Sequence, residues 1–178
     1  MKPSLPLAVA GAFVAGALAA AAAADAFPRP ARTAGASRYT NGTYNFSLTP
    51  PDFAKADKDV THTVATFFAP AQAGFANNLG VLVQNIKTTA DEYIELSQGD
   101  FKKLGLKVAV QKKLKVSGRD AVYWEYEGVQ QRQPLKWMSL AVVDTERVYL
   151  LTGTAPASTY DGVAKEFQAS IDSFRLAD

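Results

Sequence analysis

Residues 106–127 read LKVAVQKKLKVSGRDAVYWEYE, and this stretch decides the fold. Leu106, Val108, Val110, Leu114 and Val116 alternate with Lys107, Ala109, Gln111, Lys113 and Lys115. That is the two-residue period of a strand, whose successive side chains point to opposite faces. The expectation is one buried face and one wet face, with Lys112 alone out of step. Ser117-Gly118 supplies a turn, and Val122, Trp124 and Tyr126 then alternate with Ala121, Tyr123, Glu125 and Glu127. Two such runs joined by a short turn make a hairpin, so a sheet organises the chain.

Working outward, Leu135 to Val143 and Val148 to Thr154 are apolar at successive positions, which suits central strands covered above and below. Asp144-Thr145-Glu146 joins them. Such a sheet needs a helix on each face. One is expected at the end of the chain, capped by Ser158, where Tyr160, Val163, Ala164, Phe167, Ile171 and Phe174 recur three or four apart. Asp161, Lys165, Glu166, Gln168 and Asp172 take its other side. The second is expected from Thr89-Ala90-Asp91-Glu92, where Thr89 caps the first turn while Glu92 reaches back, and Tyr93, Ile94 and Leu96 follow. Gly99 is expected to break or bend it, and Leu104-Gly105 to close it. Further upstream, Thr61 to Ala69 and Leu79 to Ile86 read as strands separated by Pro70, Gly74 and Asn77-Asn78. Asn41-Gly42 reads as the tight turn of a small opening hairpin, which Pro50-Pro51 ends.

Composition bounds the rest. At 178 residues the chain suits one domain plus a short extra segment. Lys and Arg outnumber Asp and Glu by only 19 to 17, too small an excess to argue for nucleic acid. There is no cysteine, which excludes disulfides, thiolate metal sites, thiol catalysis and a lipid-modified cysteine. Met1-Lys2-Pro3, the uncharged run Leu5 to Ala24 and the small residues Ala24-Asp25-Ala26 read as a signal peptide spanning residues 1–26. The rival is a membrane anchor, though a run made mostly of Ala and Gly partitions weakly into lipid. Residues 27–36, rich in Pro, Ala, Gly and Arg, read as a flexible lead-in, and 37–178 as the folded domain, secreted or periplasmic.

Several stretches together resemble the PsbP-like family, which includes the bacterial DcrB-related exported proteins. They are Tyr44-Asn45-Phe46-Ser47-Leu48 before prolines, Asn78-Leu79-Gly80-Val81, Thr89 to Leu96, Ser117-Gly118-Arg119-Asp120-Ala121, Val148 to Thr152, and Phe167 with Ser173-Phe174. Their order and spacing span nearly all of residues 37–175. The resemblance implies an α+β fold: an α/β/α sandwich with a mostly antiparallel central sheet, used as an accessory or docking module. The bacterial-looking export signal favours the DcrB-like branch over a photosystem partner.

Candidate chemistry is sparse. His62 is the single histidine, and Asp57 and Asp59 lie near it, a set able to hold a divalent ion if a loop brings them together. A solvated loop is the plainer reading. Asp91 with Glu95, and Glu125 with Glu127, pair carboxylates on paper; a helix N-terminus and a wet strand face explain them as well. No phosphate-binding glycine loop, dinucleotide fingerprint or nucleophile elbow occurs, so no catalytic residue, cofactor or metal is assigned. Asn41 and Asn45 fall in glycosylation patterns but are expected bare. The expected docking patch is Lys102, Lys103, Lys107, Lys113 and Lys115 with an exposed Tyr123, facing a protein partner or a membrane surface. Lysines on an open strand also guard against aggregation. The reading is a non-catalytic binding domain; a small-ligand or metal-ion carrier and an uncharacterised hydrolase are the alternatives.

Overall fold

The computed structural model describes residues 37–55 and 63–177; the expected signal peptide, the lead-in and the set Asp57, Asp59 and His62 lie outside them. Strands β1 (Tyr39–Asn41), β2 (Phe46–Leu48), β3 (Ala54–Lys55), β4 (Ala65–Phe68) and β5 (Asn78–Gln84) precede helix α1 (Ala90–Lys103). Then come β6 (Lys107–Val116), β7 (Arg119–Gln130), β8 (Gln133–Val143), β9 (Val148–Pro156), helix α2 (Tyr160–Asp172) and β10 (Arg175–Leu176). The main sheet has the order β3-β4-β5-β9-β8-β7-β6, with every neighbouring pair antiparallel.

The order follows from turn chemistry. Ser117 and Gly118 take φ of 49° and 76°, and Gln131 and Arg132 take 50° and 67°. These left-handed pairs give turns whose twist matches that of the strands they join. The turns make consecutive hairpins of β6-β7 and β7-β8, and a short loop closed by Asp144 N–H on the Arg147 carbonyl, 2.8 Å, brings β9 back. β5 then adds to the free side of β9, from Asn78 opposite Thr154 to Gln84 opposite Val148. β8 and β9 are thus central, and both are buried along nearly their whole length, as their unbroken apolar runs require.

Each face of the sheet carries its own core. α1 lays Tyr93, Ile94 and Phe101 over Val122, Trp124, Tyr126, Trp137 and Leu150. α2 lays Phe167 and Ile171 over the opposite face, with Tyr123, Leu140, Tyr149 and Leu151. The α/β/α sandwich expected from the sequence is the observed architecture. Thr89 caps α1 in a capping box: its hydroxyl accepts from the Glu92 amide at 3.2 Å and the Glu92 carboxylate accepts from the Thr89 amide at 2.8 Å. The helix runs unbroken through Gly99 and ends at Leu104 with Gly105 at φ 67°.

Three further expectations are corrected. The opening hairpin lies apart from the main sheet, its β1 and β2 forming a three-stranded sheet with β10 from the far end of the chain. Its turn is not the two-residue Asn-Gly type. Residues 42–45 form the loop, Asn41 Oδ1 accepts from the amides of Thr43 and Tyr44 at 3.1 Å each, and Asn45 takes φ 52°. The cap of α2 is Thr159, not Ser158, and its side chain makes no capping bond. Finally, β6 does not bury one face. As the sheet's edge strand it is exposed or half-buried throughout, and a bulge between Val108 and Val110 puts those two residues on opposite faces.

Candidate functional site

The lysines singled out from the sequence are strung along one flank of the sheet. Lys102 and Lys103 end α1, Lys107 opens β6, and Lys113 and Lys115 stand near its far end. Eight residues of strand separate Lys107 from Lys115, about 26 Å at a strand's usual rise. Several are engaged in ion pairs: Lys103 Nζ with Asp100 at 3.2 Å, Lys113 with Asp91, and Lys115 with Asp120 at 2.8 Å. The last two pairs are largely exposed and contribute little to stability. Lys112, which sequence periodicity set aside as the odd residue, makes no ion pair among the described residues.

Tyr123 is the clear departure from expectation. It is buried, 7% exposed, because β7 is covered on both faces and not on one. It lines a cleft of about 620 Å³ between α2 and the β6-β7 hairpin. Leu114, Val116, Leu140 and Ile171 give the cleft an apolar floor, and Lys112 and Arg175 bring positive charge to it beside Glu125 and Asp172. Lys113 and Lys115 border it from β6, with their ammonium groups paired to Asp91 and Asp120. Three of the six expected patch residues therefore meet at this cleft, while Lys102, Lys103 and Lys107 gather at the other end of β6.

The polar groups of the cleft are tied to one another. The Tyr123 hydroxyl lies 2.7 Å from Glu125 Oε1 and 3.0 Å from Gln168 Oε1; its single proton goes to the nearer, charged acceptor. Gln168 Nε2 donates to Asp172 Oδ1 at 2.7 Å. Burial first, and the Glu125 carboxylate second, push the Tyr123 hydroxyl far above the ordinary tyrosine range. It is a fixed neutral donor and not a base. Sequence reading missed Gln168 and Arg175 as cleft residues, because nothing in a helical period tells which helix end will overhang a strand from elsewhere in the chain.

The remaining candidates resolve as follows. Asp91 and Glu95 are exposed on α1, Asp91 being held by Lys113. Glu125 accepts from Tyr123, whereas Glu127 is exposed. No group of three or more His, Cys, Asp or Glu residues able to hold a metal ion occurs among the described residues. Among them, too, no helix is long and apolar enough to cross a membrane. A polar line runs through the core beneath α1, from the Tyr126 hydroxyl to Ser139 Oγ and on to Thr152 Oγ1, 3.0 Å at each step.

The architecture is that of the PsbP-like fold. The sequence matches no family model and no curated protein. Solved structures carry the likeness. The cyanobacterial PsbP (CyanoP) of Synechocystis sp. PCC 6803 superposes with a TM-score of 0.58 at 15% identity, over 86% of this chain and 99% of that one. LpqN of Mycobacterium tuberculosis, described as involved in cell envelope biogenesis, gives 0.62 at 11% identity over 80% and 90%. The protein PA94 of Pseudomonas aeruginosa gives 0.58 at 16% over 80% and 96%. At these identities the shared property is the fold.

Proposed function

We propose that the chain is an exported, non-catalytic accessory module of PsbP-like or DcrB-like type that docks on a protein of the cell envelope through the lysine-bearing flank formed by the end of α1 and β6. The observation that carries this reading is β6 itself: ten residues long, at the sheet's edge, with four lysines and no acid. Flanks of one charge sign raise the encounter rate with a partner of the other sign and fix its orientation. The export part rests on the N-terminal sequence and is supported by the involvement of LpqN in cell envelope biogenesis.

The test is a pull-down from envelope extract with identification of the retained protein, repeated with Lys103, Lys113 and Lys115 all changed to Glu. Retention by the native chain and loss in the folded triple variant support docking. Equal retention by both sinks the lysine flank as the docking face. A second reading, a small-ligand carrier, draws on the cleft volume of about 620 Å³, which lies within the size range of ligand sites. A bound species in the native mass spectrum of the purified protein would favour it.

A further inference from the structure

Resting on that docking reading, we infer that β6 accepts an extended acidic segment of the partner protein as an eighth strand, with alternate side chains of the segment seated in the cleft between β6 and α2. Which backbone groups are open follows from the hairpin. Val116 and Arg119 flank the two-residue turn and so form a hydrogen-bonded pair, and bonding alternates from there along an antiparallel ladder. Lys112, Leu114 and Val116 therefore point their amides at β7. Gln111, Lys113 and Lys115 point theirs outward, and among the described residues no backbone group outside β7 pairs with them. The bulge at Ala109 ends the regular stretch on one side and the Ser117-Gly118 turn ends it on the other, leaving Val110 to Val116 as the template.

The faces decide where an added strand would put its side chains. Lys112 and Leu114 share a face with their partners Tyr123 and Ala121, the face that α2 covers and the cleft opens on. A strand laid against β6 places every second side chain on that face, over the apolar floor of Leu114, Val116 and Ile171. Charge chooses the occupant. Two copies pairing through β6 would set lysine-rich strands side by side with no acid between them, which is unfavourable. An acidic segment that alternates with apolar residues lays the apolar ones over this floor and its carboxylates on the opposite face, beside Lys113 and Lys115, whose pairs with Asp91 and Asp120 are exposed and weak. The chain's own residues 27–36 are a poor fit, carrying Arg29 and Arg32 and no acid.

The experiment uses the full mature chain and a blocked eight-residue peptide alternating valine and glutamate, with the lysine counterpart as control. Amide hydrogen exchange followed by NMR is expected to slow at Gln111, Lys113 and Lys115 when the acidic peptide is added, and not with the control. Lys115→Pro removes one outward N–H at an edge position where proline is tolerated. It is expected to weaken binding about tenfold, whereas Lys115→Gln, which keeps the N–H, costs only a few-fold. Lys113→Pro serves as a second variant should the first fail to fold. Unchanged exchange at millimolar peptide, or undiminished binding by the folded proline variants, overturns strand addition. Proline variants that bind as the native chain does, alongside Lys113→Glu and Lys115→Glu variants that do not, would leave charge-driven docking standing and remove only the strand. A dimer in sedimentation that Lys115→Pro dissolves would overturn the choice of occupant.

Discussion

Gly153 on β9 shows how much one missing atom decides. A Cβ built there would lie 2.6 to 2.9 Å from three ring carbons of Phe167, so α2 seats its central aromatic directly on the glycine backbone. Gly153→Ala must push the helix away from the sheet, and overpacking of this kind costs about 1 to 3 kcal/mol. A urea titration that finds the variant as stable as the native chain would disprove the contact. The buried tyrosines make a second prediction. Burial is the leading cause that raises Tyr93, Tyr123, Tyr126 and Tyr160 above the ordinary value of 10.0. A folded value raised above the unfolded one contributes stability that is whole below about pH 10 and is lost as pH climbs beyond it. Tyrosinate absorbance at 295 nm should therefore show these four ionising only together with alkaline unfolding.

At the scale of elements, the start of α1 is the feature most legible in the sequence. Thr89 and Glu92 are three residues apart, and their reciprocal bonds need nothing but the local backbone. Thr89→Ala should lower stability by about 0.5 to 2 kcal/mol, measured by thermal unfolding. The Thr89 backbone amide first, and its hydroxyl second, hold the Glu92 carboxyl below the usual carboxylate range. A lowered value means its contribution is present above the unfolded pKa and disappears as pH falls through the folded one. The Thr89→Ala deficit should accordingly shrink in acid, because it includes the bond the Thr89 hydroxyl donates to the Glu92 carboxylate at 3.1 Å; a deficit independent of pH would refute that bond. β6 was legible in type but not in exposure. Its alternation is that of a half-buried strand, yet edge position and the bulge at Ala109 leave Val108 and Leu114 each 39% exposed. Periodicity reports which residues share a face; it does not report whether anything covers that face.

The whole molecule is two cores divided by one sheet, and the dividing strands belong to both. Leu150 faces α1 and Leu151 faces α2, one residue apart on β9. Loss of either core exposes the same strands, so the two should fail together. Phe167→Ala, on the α2 side, should cost about 3 to 5 kcal/mol. It should also lower the denaturation midpoint read by the fluorescence of Trp124 and Trp137, which lie on the α1 side. A tryptophan transition that stays in place would mean the faces unfold independently. The closing of β10 onto β2 adds a long-range tie, with Arg175 opposite Ser47 and the Ala177 amide on the Asn45 carbonyl at 2.8 Å.

The sequence by itself determined the strand and helix types, the tight turn at Ser117-Gly118, the cap of α1 and the sandwich of two helices about a sheet. Each of these depends on neighbours within a few positions, where propensity, spacing and capping chemistry act. The tertiary structure alone decided which strand became the edge, that Tyr123 is buried, that Lys112 faces a cleft rimmed by Arg175, and that the second and last strands pair. Those outcomes come from surfaces brought together across many tens of residues, and the free energy of covering a face belongs to both partners at once.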